Sequence, residues 1–232
     1  MRVGLQLGLA VLTLAAACRC NGDTPLTPIA CGDVDEHSGE ATYYDADGSG
    51  NCSFDPSPED LMVAAMNAAD YDGSAVCGAC VAVDGPNGSV TVRIVDSCPG
   101  CEAGDLDLSQ QAFERIAALS AGRVPITWRQ VECPVSGPVR YRFKEGSSAF
   151  WTALQVRNHR YAILTLAVRP AGGEWRNVDR ADYNYFVDEA GVGDGGFDVR
   201  ITDIFGHIVE DTGLAVGDAT EVAGHAQLDA CP

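Results

Sequence analysis

Asp96, Asp105 and Asp107 fall close together, near the ends of segments with strand character. Acids in such places are mostly solvated or cap a turn. A carboxyl group set beside other acids and apolar walls behaves differently: its pKa rises, and it can donate a proton or a hydrogen bond. Leu106 and Leu108 flank Asp107, so strand alternation sends both leucines inward and leaves Asp107 on the open face. A second set is aromatic: Phe150, Trp151 and Tyr183. Rings on small β domains more often fill a core than bind a ligand, and on a regular strand the adjacent Phe150 and Trp151 would point to opposite faces. The third set is sulfur. Cys77-Gly-Ala-Cys80 and Cys98-Pro-Gly-Cys101 have a spacing that suits a zinc ribbon, a redox-active pair or disulfide bridges.

The compartment decides among those. Arg2 precedes an apolar run, Val3 to Ala17, which is too short for a mature membrane anchor and has the parts of a secretory signal peptide (residues 1–17). Small residues run directly into Cys18, which also fits a bacterial lipoprotein site with Cys18 acylated at the outer surface. No later segment is long and apolar enough to span a membrane. Export to an oxidising compartment favours disulfides among Cys52, Cys77, Cys80, Cys98, Cys101 and Cys133 over zinc, although spacing leaves their connectivity open. No thioredoxin-like βαβ pattern surrounds either CxxC pair. Cys31 and Cys231 flank the rest of the chain and are placed to clamp its termini together. No metal and no cofactor is expected.

These side chains need elements to hold them. Residues 18–36 are rich in Pro, Asp and Thr and read as a tether. From 37 to 135, short β runs alternate with Gly-rich turns. Residues 89–95 and 124–131 read as strands. Residues 109–119 read as a helix, with Ser109 as N-cap and Ala112, Phe113, Ile116 and Leu119 on one face; residues 60–69 read as a second short helix. Such a mixture predicts a small barrel. A hinge at Pro134 to Pro138 leads into residues 136–232, where 139–144, 152–157, 162–169, 197–203 and 207–211 read as strands of a small antiparallel sandwich. The fold class is mainly β.

The 232 residues carry 33 acidic and 15 basic side chains, a net charge of −18. That balance excludes a nucleic-acid partner, which needs a basic surface, and argues against docking on anionic lipids or acidic polymers. Residues 18–136 hold 19 acids and 5 bases, net −14; residues 137–232 hold 14 and 9, net −5. The acidity is concentrated in the first unit.

Four segments of that unit resemble the first domain of expansins: Gly39-Glu-Ala-Thr-Tyr-Tyr-Asp45, Val95-Asp-Ser-Cys-Pro99, Gly104-Asp-Leu-Asp-Leu-Ser-Gln-Gln-Ala-Phe113 and Trp128-Arg-Gln-Val-Glu-Cys133. Gly146-Ser-Ser-Ala-Phe-Trp-Thr-Ala-Leu-Gln-Val-Arg-Asn-His159 and Asp182-Tyr-Asn-Tyr-Phe-Val187 resemble the second, a family-63 carbohydrate-binding module. The resemblance covers residues 37–228, with both domains in the expected order. It implies a six-stranded double-psi β-barrel, related to family-45 endoglucanases, followed by an immunoglobulin-like β-sandwich. The function it implies is a secreted, monomeric protein that binds cellulose and related β-glucans and loosens plant-type wall networks without hydrolysis.

The same resemblance implies roles. Asp107 matches the aspartate essential to expansins, the counterpart of the endoglucanase general acid. Asp96 matches a second groove aspartate, and Thr42 a threonine that hydrogen-bonds in the cluster. Inverting hydrolysis needs an acid and a base with room for water between them, and bacterial expansins lack the base. Tyr43-Tyr44-Asp45 stands where the endoglucanases have an aromatic-aromatic-Asp segment carrying that base. Asp45 therefore reads either as part of an Asp/Gly-rich turn or as the base of a weak hydrolase, with Tyr43 as a sugar contact. A lytic-transglycosylase-type barrel acting on peptidoglycan shares the fold and is a third reading. Cys98 replaces a groove tyrosine found in many bacterial expansins. Phe150, Trp151 and Tyr183 are expected to stack on pyranose faces, with Lys144 as a polar contact beside them; Phe150 stands in for the usual Trp, and Trp175 is structural. Resemblance to plant expansins pairs Cys52 with Cys77 and Cys80 with Cys133, leaving Cys98 with Cys101.

Overall fold

A computed structural model describes residues 27–232; the signal segment, Cys18 and the first part of the tether lie outside the described residues. Six strands, β1 (His37–Tyr44), β2 (Val63–Asn67), β3 (Cys80–Gly85), β4 (Gly88–Cys98), β5 (Leu106–Ser109) and β6 (Val124–Val131), close into a barrel in the order β1-β5-β2-β4-β3-β6. Alternating residues fill it: Val81, Val83, Val92, Ile94, Leu106 and Leu108 belong to one buried cluster with Phe113 and Ile116. The last two come from α2 (Gln110–Ile116), whose first turn is capped by Ser109 Oγ accepting from Ala112 N at 3.0 Å, as the sequence pattern predicts.

Residues 60–69 do not form the expected helix. Val63–Asn67 is the barrel strand β2, and only Ala68–Tyr71 is helical (α1), capped by Asn67. Every residue of β2 is buried, and the strand is paired on both sides, to β4 and β5. The helix propensity of Ala64, Ala65 and Met66 is thus outweighed by backbone pairing on both edges.

The second unit contains two four-stranded antiparallel sheets. One runs β10 (Arg176–Val178), β9 (Ile163–Pro170), β12 (Phe197–Asp203), β13 (Ile208–Leu214); the other β11 (Phe186–Asp188), β8 (Thr152–Arg157), β7 (Arg140–Phe143), β14 (Glu221–Ala223). Tyr141, Phe143 and Val156 from one meet Leu166, Phe197 and Ile201 from the other in a shared core. Tyr141 OH, carried into that core, donates to Asp211 Oδ2 at 2.8 Å, so its burial leaves no orphaned hydroxyl. Strands β10, β11 and β14 have three residues each, too few for alternation to register in sequence.

Disulfides join Cys52–Cys77, Cys80–Cys133, Cys98–Cys101 and Cys31–Cys231. The four CxxC cysteines are divided among three bridges, which overturns the zinc-ribbon option. Residues 27–31 are not a loose end of the tether: Ile29 N donates to Ile204 O at 2.8 Å, and the Cys31 bridge fastens them to the second unit.

The two units are joined by polar contacts buried between them. Ser74 Oγ donates to Ala181 O at 2.8 Å and accepts from Asn184 N at 3.1 Å. Gln155 Nε2 donates to Cys52 O at 2.8 Å. Arg180 donates to the carbonyls of Ser74 and Ala75, and its burial lowers its pKa to about 10. A charge so enclosed is tolerated because these carbonyls replace its water.

Candidate functional site

Register places the acids. Thr42 of β1 pairs with Asp107 of β5, Asp107 with Ala65 of β2, and Ala65 with Asp96 of β4. Thr42, Asp107, Ala65 and Asp96 therefore lie side by side across four adjacent strands. Leu106 and Leu108 are fully buried, while Asp107 faces outward and is half-buried. Ala65 between the carboxylates presents only a methyl group, which leaves a shallow floor. Thr42 Oγ1 donates to Asp107 Oδ1 at 2.6 Å.

Burial raises the Asp107 pKa above the ordinary carboxylate range, and the Asp96 charge adds to the rise; the Thr42 hydrogen bond and the Arg123 charge oppose it. Asp96 is held differently, with its Oδ1 accepting from Asn51 N at 2.6 Å and Ser97 N at 2.8 Å. Gly50 permits this closeness, because a Cβ there would stand 2.4 Å from Asp96 Cβ. The loop carrying Gly50 and Asn51 is pinned by Cys52 N donating to Val95 O and by the Cys52–Cys77 bridge.

Tyr43 does not enter this groove. Its ring packs on Phe113, centroids 5.0 Å apart, against the barrel core. Alternation instead gives the groove Tyr44, two residues after Thr42 and within electrostatic reach of Asp96, Asp107 and Asp47. Burial and these three acids raise its pKa strongly, and its hydroxyl has no hydrogen-bond partner among the described residues. Counting positions from Thr42 would have found Tyr44. We predict that Tyr44→Phe raises stability by about 1 kcal/mol in urea unfolding, because a buried hydroxyl without a partner is removed. Asp105 also lies outside the groove, where it accepts from Glu40 N at 2.7 Å and ties β1 to the turn before β5. Asp45 is exposed, one residue beyond the end of β1.

The aromatic set sits on the second unit. Phe150 and Trp151 escape strand alternation because they belong to a tight turn before β8, closed by Ser148 N donating to Trp151 O at 2.7 Å. Phe150 is 78% exposed and Trp151 half-buried. Lys144 Nζ stands 5.8 Å from the Tyr183 ring centroid and 5.7 Å from that of Tyr185. β11 runs antiparallel to β8, with Asp188 opposite Thr152 and Phe186 opposite Leu154. Tyr183 lies in the turn that leads into β11, closed by Asn184 N donating to Ala181 O at 3.1 Å. There it meets the barrel: Asn51 Nδ2 donates to Asp182 O at 2.8 Å, as does Tyr71 OH at 3.1 Å. Asn51, which sequence reasoning missed, therefore touches the groove acid Asp96 with its backbone and the neighbour of Tyr183 with its side chain. The Arg169 and Arg200 guanidinium carbons stand over the half-buried Trp175 ring, 4.7 and 4.2 Å from its centroid. A concavity of about 710 Å³ between the units is lined by Phe54, Arg93, Arg157 and His159 and by none of the groove acids.

A family model described as lytic transglycolase matches residues 36–128, the barrel alone. Expansin-YoaJ of Bacillus subtilis (strain 168) is 40% identical over 204 residues, 84% of this chain and 87% of that protein. The chain belongs to the expansin family. Expansin-like protein 1 of Dictyostelium discoideum is 33% identical over 182 residues, 73% of this chain and 63% of that one. A solved expansin of Clavibacter michiganensis, a mutant in complex with cellohexaose, superposes with a TM-score of 0.78 at 35% identity, covering 83% of this chain and 98% of that one. Its apo form gives 0.77. In this expansin the matched length runs through both units, whereas the lytic-transglycolase description reaches only the first. No helix among the described residues is long and apolar enough to cross a membrane.

Proposed function

We propose that this expansin is exported, binds cellulose and related β-glucans, and loosens plant-type polysaccharide networks without cutting them. Residues 1–17 serve as the signal peptide, 18–36 as a linker with Cys18 as its candidate acylation site, 37–135 as the double-psi barrel and 136–232 as an immunoglobulin-like carbohydrate-binding sandwich. Phe150, Trp151, Tyr183 and Lys144 anchor one glucan chain. Asp107, Asp96 and Thr42 engage a chain in the groove, where the protonated Asp107 donates a hydrogen bond that competes with those between chains.

One observation carries the non-hydrolytic reading. Burial gives Asp107 the environment of an acid, whereas Asp45, the candidate base, is exposed and follows the end of β1. Exposed and beyond the strand end, Asp45 lacks the held position that activating a water requires. The complex of a relative with cellohexaose supports a β-glucan as the ligand.

Extension of a cellulose-based network and release of reducing ends, measured on one preparation, test the reading. Extension without sugar release is expected, and Asp45→Asn should leave extension unchanged. Sugar release lost in Asp45→Asn would instead make the protein a hydrolase. Retention on peptidoglycan rather than cellulose would support the transglycosylase reading, against which the net −14 of residues 18–136 weighs.

A further inference from the structure

The bridge between Cys31 and Cys231 differs from the other three in what surrounds it. Cys31 is exposed and Cys231 half-buried, whereas Cys52, Cys77, Cys80 and Cys133 are all buried and Cys98 and Cys101 are both half-buried. Among the described residues it is also the one bridge with a histidine ring nitrogen against its sulfur: His207 Nε2 lies 4.0 Å from Cys31 Sγ. That histidine is held. Asp203 is completely buried and accepts from Phe205 N at 2.9 Å, His207 N at 2.9 Å and His207 Nδ1 at 2.8 Å. With Nδ1–H committed to Asp203, the proton-accepting nitrogen of neutral His207 is the one that faces Cys31. Tyr161 and Phe205 pack around the ring, 6.0 and 6.2 Å from its centroid. Cys231, His207 and Cys31 lie close enough that their donor atoms are all within 4.8 Å of one another.

We propose that Cys31–Cys231 is a site of reversible modification by low-molecular-weight thiols, with Asp203 and His207 assisting the exchange. The incoming thiol gives its proton to Nε2 of neutral His207 and, as its thiolate, attacks Cys231 Sγ. A new sulfur–sulfur bond forms there, the Cys31–Cys231 bond breaks, and its electron pair leaves on Cys31 Sγ. His207, carrying a proton on Nε2, stabilises that leaving thiolate and passes the proton to it, while Asp203 compensates the imidazolium. One disulfide is lost and one mixed disulfide gained, so no external oxidant enters. A thiolate that is better stabilised leaves faster, and an Asp–His pair supplies that stabilisation. The product removes the covalent link between the Cys31 segment and the second unit, while Ile29 N still donates to Ile204 O there. The device thus acts on how the segment behind the signal peptide is attached, independently of glucan binding.

Reduced glutathione is the probe. The full chain is treated for short times, acid-quenched, alkylated and mapped by peptide mass. The first adduct is expected on Cys231, with His207→Gln slowing its formation about tenfold while attack at Cys98–Cys101 is unchanged. A destabilised variant would open every bridge faster, so a selective slowing cannot arise from misfolding. Equal rates in the two proteins, or a first adduct on any other cysteine, would overturn the proposal.

Discussion

Asp107→Asn is expected to abolish network extension, by roughly tenfold or more, while cellulose binding and the fold persist. The amide keeps the volume of the carboxyl and an oxygen to accept from Thr42 Oγ1, now at 2.6 Å, so the strand pairing of β1 with β5 is not disturbed. What it loses is the ability to exist as a neutral acid that donates a hydrogen bond. The pKa shift sets the pH dependence. Burial raises the folded-state pKa of Asp107, so the donor is present at low pH and is lost as pH rises through that raised value. The same sign holds for stability: a carboxyl with a raised folded pKa favours folding below its unfolded pKa and loses that contribution as pH climbs through the folded one. Extension rate measured against pH should therefore fall on the alkaline side, and the limb should vanish in Asp107→Asn. A pH profile unchanged by the substitution would remove Asp107 from the mechanism.

Trp151→Ala should weaken adsorption to crystalline cellulose by about tenfold or more, since an indole face contributes on the order of 1.5–3 kcal/mol when covered. Phe150 is nearly free of the protein and contributes a smaller ring; Phe150→Trp is expected to tighten adsorption severalfold, roughly as the added aromatic area predicts. Both effects are read from binding isotherms. Because the rings are apolar and the chain carries −18, adsorption should change little between low and high salt. Strong salt sensitivity, or an unaltered isotherm in Trp151→Ala, would move the anchoring surface elsewhere.

Much of this was legible in the chain. The strand alternation that buries Leu106 and Leu108 and exposes Asp107 is a local property of four residues, and Ser109 as a helix cap is another. The bridges of the barrel agreed with those implied by resemblance to plant expansins. Residues 63–67 form a strand although Ala and Met favour a helix, because pairing on both edges decides the outcome. The choice between Tyr43 and Tyr44 was one of parity alone: a shift by one position exchanges core for groove.

Composition and strand patterning by themselves pointed to a mainly β chain with its acidity concentrated in residues 18–136, and the resemblance to expansins picked out the acids and rings worth testing. Only the tertiary structure decided that Thr42, Asp107, Ala65 and Asp96 form one row, because they come from four strands that pair in an order unrelated to sequence. It also decided that a turn, not a strand, carries Phe150 and Trp151, and that Asn51 joins groove to aromatic surface. Local periodicity reports which face a side chain takes. Which strands and loops stand next to one another is set by barrel closure and by the contacts between the units, and no short stretch of sequence contains that information.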